Sequence, residues 1–160
     1  MKKVYSIITF TLILLFSHCA TGKYIDNSQN WVSSAKMNEV EIFVDTASIK
    51  KVGNMTIAKE KKVFYSAESK ENHITAIKNK FTERNLKDKS EKWADFSYSI
   101  YESEYDCLNN RFRVLSIEDY DSNGTRIIKT VSNKKQLKWL NVDAETLGDY
   151  TFFYVCDYGN

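Results

Sequence analysis

The chain contains no proline, five glycines, two histidines and three cysteines. Each scarcity removes a class of function. The few glycines form no phosphate-cradling loop of the nucleotide-binding kind. One histidine, His18, lies at the end of an N-terminal apolar run, which leaves His73 as the single candidate for a triad base, and no nucleophile-elbow motif accompanies it. His73 stands in a polar stretch and is expected in solvent. Cys107 and Cys156 lie 49 positions apart with no histidine near either, which is not the spacing of a metal or redox pair. No cofactor and no metal are expected. The longest apolar run, Val4 to Phe16, falls short of the ~20 residues a membrane-spanning helix needs.

Excess charge is lacking too. The chain carries 23 basic and 21 acidic side chains, and two of the basic ones, Lys2 and Lys3, precede the apolar run. A short basic region followed by such a run is the secretory pattern. Removing residues 1–18 leaves 21 of each sign (23 less 2, against 21), so the exported chain is neutral. Nucleic-acid binding rests on surplus positive charge and is not expected.

Ordinary signal-peptidase cleavage wants small residues at the first and third positions before the cut, a requirement that His18 spoils for a cut after Ala20. Leu15-Phe16-Ser17-His18-Cys19 instead resembles a bacterial lipobox, with Phe16 where Leu is usual and His18 where Gly or Ala is usual. In that reading Cys19 becomes the acylated first residue of the mature chain, and Ala20 after it favours the outer membrane. The alternative is a free cysteine discarded with the signal peptide. An exported compartment permits disulfides, and the two remaining cysteines pair by default as Cys107–Cys156.

Residues 19–30 read as a polar tether and residues 31–160 as one domain. Strand patterns run from Trp31 to Ser34 and from Glu39 to Asp45, with a turn at Thr46–Ile49 and a loop at Gly53-Asn54. Met55 to Tyr65 is a longer strand with Met55, Ile57, Val63 and Tyr65 on one parity. Residues 66–95 are polar and lysine-rich, with a thin helical stripe of Ile74, Ile77 and Phe81, and read as a short helix or a mobile insertion. Strands resume at Phe96–Tyr101, Ser103–Cys107 and Arg111–Tyr120. On the last of these, Phe112, Val114, Ser116 and Glu118 share one face. Asp121-Ser122-Asn123-Gly124 is a hairpin turn in which Asn and Gly supply positive φ, and Thr125–Ser132 is its return strand. Trp139 and Leu140 begin a last packed segment. Ala144, Leu147, Thr151, Tyr154 and Val155 fall near helical spacing, with Asp143 as N-cap. The expected fold is α+β: an antiparallel sheet of five to six strands, with a C-terminal helix packed on it and tied by the disulfide.

The succession of Trp31, Val44-Asp45-Thr46-Ala47-Ser48-Ile49, Glu104-Tyr105-Asp106-Cys107, Arg111-Phe112-Arg113, Tyr120-Asp121-Ser122-Asn123-Gly124, Trp139 and Cys156 resembles the surface-adhesin protein E family of Gram-negative envelope proteins. The resemblance spans residues 31–156. It implies an antiparallel sheet with helical packing, some likeness to a PAS domain, and adhesion to host extracellular matrix. Two departures stand out: a longer connection at 66–95, and Val142-Asp143 where a proline is usual. Matching scaffold residues do not carry a binding epitope with them.

Asp119-x-Asp121-x-Asn123-Gly124 copies the first half of a calcium loop, but position twelve is Thr130, and the surrounding pattern is strand-turn-strand. Glu102, Glu104 and Asp106 form an acidic row on one strand face, the only support for a small carboxylate hydrolase. Charge is segregated along the chain. From Lys50 to Lys92 there are 12 basic and 6 acidic side chains, and from Trp93 to Gly124 there are 7 acidic and 2 basic. The basic stretch, with Lys59, Lys61, Lys62, Lys78, Lys80, Lys87, Lys89 and Lys92, is the candidate surface for a matrix protein or an acidic glycan, weighed against a merely solvated loop. Opposed patches also suit a homodimer. The expected function is therefore a non-enzymatic envelope lipoprotein presenting a binding domain, with a periplasm-facing structural or stress-related outer-membrane lipoprotein as the alternative.

Overall fold

The computed structural model describes residues 30–83, 91–133, 135 and 137–158, and every structural statement below concerns these residues. Cys19, residues 1–18 and most of the tether lie outside them, as do Lys87 and Lys89 and the side chain of Phe81.

Six strands follow one another across an antiparallel sheet in chain order: β1 (Trp31–Met37), β2 (Val40–Val52), β3 (Met55–Phe64), β4 (Phe96–Asp106), β5 (Arg111–Asp121) and β6 (Arg126–Val131). A two-residue β7 (Leu140–Asn141) pairs with β5 where β6 has ended. Helix α1 (Ala67–Glu83) joins β3 to β4, and α2 (Leu147–Asp157) closes the chain. Both helices pack on the same face of the sheet, since Val44, Ala58 and Tyr105 meet α2 there, and Phe64 meets Ile74 of α1.

The sheet curls because its ladders slip. Register shifts interrupt β1–β2, β2–β3, β4–β5 and β5–β6, and each inserted residue bends its strand. Thr46–Ile49, expected as a turn, is one such bulge inside β2, where Lys59 N donates to Ser48 Oγ at 2.8 Å. Another falls at Leu115, because Glu102 faces Ser116 while Ser103 faces Val114. It breaks the expected alternation of β5: Phe112 and Val114 face the helices, and Ser116 and Glu118 face away.

Strand β3 also departs from expectation. The parity that packs inward is Thr56, Ala58, Glu60, Lys62 and Phe64, not the apolar Met55, Ile57 and Val63. The expected strands at 96–101 and 103–107 are one strand, β4. Residues 67–83 are helical rather than a mobile insertion, and the Ser66 hydroxyl accepts from Ser69 N at 2.9 Å as an N-cap does. The N-cap of α2 is Thr146, whose hydroxyl accepts from Asp149 N, three residues beyond the expected Asp143. At the 121–124 turn Gly124 alone has positive φ (72°), and Asp121 Oδ1 accepts from Asn123 N and Thr125 N. The calcium-loop likeness therefore has a hairpin explanation. Asp119 is engaged elsewhere: buried, it accepts from Trp93 Nε1 at 2.8 Å and from Ser99 Oγ at 2.7 Å.

His73 is not in solvent. Its ring lies between Phe64 (4.8 Å) and Phe96 (4.9 Å), and Nε2 is buried with no partner among the described residues. Burial pulls its pKa below the ordinary 6.5, helped by Lys62 and Lys80 and opposed by Asp119. The folded state thus takes up this proton less readily than the unfolded chain, which binds it as pH falls through 6.5. The His73 contribution is fully present above that pH and falls as pH drops through it. His73→Phe should flatten this part of the profile, leaving the acid loss due to Glu41, Asp106 and Glu118, whose pKa values are lowered. Denaturant midpoints for the two proteins on either side of pH 6.5 test this; parallel curves would show that His73 does not titrate differently on folding.

Candidate binding surface

No helix covers the sheet face opposite α1 and α2 among the described residues, although Ile100, Ser116 and Tyr120 on it are buried. Strand alternation brings to it Phe43 and Asp45 of β2, Lys59 and Lys61 of β3, Tyr98, Ile100, Glu102 and Glu104 of β4, and Arg113, Ser116, Glu118 and Tyr120 of β5. At one end Lys61 Nζ stands over three rings: Trp31 at 4.8 Å, Tyr98 at 5.7 Å and Phe43 at 5.9 Å. Tyr98 in turn stacks on Tyr120, with centroids 4.9 Å apart and planes 9° from parallel. Large rings with a cation among them are the residue types that dominate protein-binding hot spots.

In the middle of this face, Lys59, Glu102, Ser116, Glu118 and Lys129 rim a cleft of about 160 Å³ floored by Ile100, itself only 6 % exposed. Glu118 accepts from Lys129 Nζ (2.7 Å), Tyr120 Oη (2.7 Å) and Arg126 Nη1 (3.2 Å). Burial opposes its charge, but these donors overcome burial and hold its carboxyl at about 2. Burial and the same carboxylate push Tyr120 upward.

At the far end Glu104 pairs with Arg113, and Asp106, 1 % exposed, accepts from Asn109 Nδ2 (2.8 Å) and from Arg111 Nε (2.8 Å) and Nη2 (2.7 Å). The Asn109 bond is the largest of the effects that lower the Asp106 pKa. Trp139 lies against both guanidinium groups, 4.7 Å from Arg111 and 4.5 Å from Arg113. The acidic row of β4 is therefore not a plain solvated face, because two of its three carboxylates are held by arginines of β5.

The candidate lysines do not form one surface among the described residues. Lys59 and Lys61 lie on the open face. Lys62, the next residue, points to the helix side, with Nζ 5.3 Å from the Phe64 ring. Lys78 and Lys80 are exposed on α1, with Lys78 4.0 Å from Glu71, and Lys92 is exposed in the short turn before β4. Pairing of β3 with β4 puts Lys59 opposite Glu102, so at that position the basic and acidic stretches of the chain meet across the sheet. Sequence reasoning missed the aromatic cluster around Lys61, whose members come from three strands.

Cys107, just after β4, is bonded to Cys156 of α2, with Cα atoms 5.7 Å apart. A single antiparallel sheet, backed on one face by two helices and tied to the second by a disulfide, defines an α+β scaffold with one free sheet face. The surface-adhesin protein E family matches residues 31–157, and the chain belongs to that family. Among solved structures, it is similar to Haemophilus influenzae protein E in crystal form II, with a TM-score of 0.50 and 12 % identity over 86 % of this chain and 96 % of that one. The selenomethionine form of the same protein gives 0.50 and 10 % over 82 % and 89 %. At such identities the likeness is one of fold. No curated protein matches the chain in sequence.

Proposed function

We propose that this is a non-enzymatic adhesin of the bacterial envelope, anchored in the outer membrane through acylated Cys19 and carrying residues 31–160 on a short tether. Its open sheet face would hold a host matrix protein or an acidic glycan. Family membership over residues 31–157 supports the adhesin role. Residence in the outer membrane would rest on the acyl chains of Cys19. The observation that carries the choice of surface is the cluster of Trp31, Phe43 and Tyr98 around Lys61, beside Lys59 and clear of both helices. Glu118, the carboxylate of the neighbouring cleft, is already occupied by three donors, which favours binding over acid–base work there.

Whole-cell protease shaving and the mass of the mature N-terminus address localisation. An acylated Cys19 and a cleaved domain are expected. A domain that survives shaving supports the periplasm-facing structural role instead. For the surface, Lys59→Glu/Lys61→Glu should weaken retention on heparin or on matrix-coated plates about tenfold and reduce its salt dependence. Lys78→Glu/Lys80→Glu should change it little. The reverse pattern would move the binding surface to α1. Deleting residues 66–95 is not a clean test, because Ile74, Trp93 and His73 belong to the core under α1.

A further inference from the structure

The helix-covered face of the sheet is apolar at its two ends and polar between them. Val44, Ala58, Tyr105, Phe152 and Val155 pack under α2, and Phe64, Ile74, Trp93 and Phe96 pack under α1. Between these clusters Glu60 and Lys62 of β3, with Tyr101 and Ser103 of β4, line a cavity of about 170 Å³ whose walls include Ile42 and Val114. That is below the roughly 300–1,000 Å³ of pockets for drug-sized ligands, so it suits a much smaller molecule.

Glu60 and Lys62 share a parity, and their backbones are about 7 Å apart along the strand. They are not joined as an ion pair. The Glu60 carboxylate takes the Tyr105 hydroxyl, while Lys62 Nζ sits beside the Phe64 ring. Burial raises the Glu60 pKa against the Tyr105 and Ser103 hydroxyls and the Lys62 charge, and burial lowers that of Lys62 against the Glu60 charge, so in each case desolvation outweighs the partners present. As a structural device the arrangement is poor, since apolar residues of similar size would fill the same core at equal or lower cost. Two opposite charges held apart, facing one small cavity with apolar walls, are what a molecule bearing both charges would complement.

We propose that this cavity binds a small zwitterion of amino-acid size, its ammonium group on Glu60, its carboxylate on Lys62 and its apolar part against Ile42 and Val114. Each ligand charge then adds to the partial compensation that Glu60 and Lys62 give each other across the cavity, and Tyr101 lines the same space. The site is on the opposite face from the adhesive surface and does not depend on it.

Calorimetric titration of the intact domain with L-valine and L-leucine, alongside isovalerate and isobutylamine, tests this. The zwitterions should bind, and the analogues lacking one charge should bind about tenfold or more weakly, as the loss of a charge-assisted hydrogen bond requires. Lys62→Met and Glu60→Gln should each cost a similar factor for valine while melting cooperatively. The wild-type comparison between valine and its analogues stands even if a variant fails to fold. No binding of either zwitterion, equal binding of the analogues, or folded variants that bind valine as the wild type does would each overturn the assignment.

Discussion

Replacing Cys107 and Cys156 by serine together is expected to lower stability by about 4 kcal/mol, the chain-entropy value for opening a loop of ~50 residues. For a domain of this size that corresponds to a melting temperature lower by roughly 10–20 °C. The bond joins the turn after β4 to the last turn of α2, so it closes a loop containing β5, β6 and β7. Most of the loss arises because the unfolded chain regains freedom, and the native packing of α2 need not change. Calorimetric melts of the serine variant, and of the wild type with and without reductant, measure it. A loss below about 1 kcal/mol would mean that the unfolded chain is already compact around this loop.

The second large effect concerns the other device that holds α2. Phe152→Ala should cost about 3–5 kcal/mol, the range for deleting a buried aromatic ring. Phe152 is 2 % exposed, lies 6.0 Å from the Tyr105 ring and packs with Val44, Ala58 and Val155. Its neighbour Phe153 is 53 % exposed and touches Phe152 edge-on at 5.8 Å. Phe153→Ala should therefore cost about 0.5 kcal/mol, as surface changes do. Urea unfolding of the two variants makes a matched comparison between adjacent residues of the same type. Equal losses would contradict the placement of the helix on the sheet.

The strands of the sheet were legible where apolar and polar residues alternate without interruption, as in Glu39–Asp45. They were misread where a bulge breaks the alternation. Leu115 reverses the face of everything after it in β5, and no local composition announces that. In β3 the inward parity carries Glu60 and Lys62, so periodicity pointed to the wrong face. Only the neighbouring strands and the Tyr105 hydroxyl show why such residues lie inward. His73 sits among polar neighbours in the chain but between two phenyl rings in space, because a helix needs only one stripe to face the core. The binding surface was half legible: lysines 59 and 61 stood out by charge, while the rings that make Lys61 distinctive come from strands far apart in the chain.

By itself the sequence determined the class of the fold, the disulfide partners and the family, because these depend on residue types and spacings that survive any rearrangement in space. With Cys19 set aside at the end of the export signal, Cys107 and Cys156 are the one pair left, and an asparagine–glycine turn between strand patterns makes a hairpin wherever it is placed. The tertiary structure decided which charges meet. Pairing β3 with β4 brings Lys59 of the basic segment opposite Glu102 of the acidic one, while Lys78 and Lys80 stay apart on α1. The pleat of β3 separates Lys61 and Lys62 onto opposite faces, one among the half-buried rings of Trp31, Phe43 and Tyr98 and the other beside the Phe64 ring under the helices. Strand pleating sends successive side chains to opposite sides, and only the packed helices determine which side is the interior.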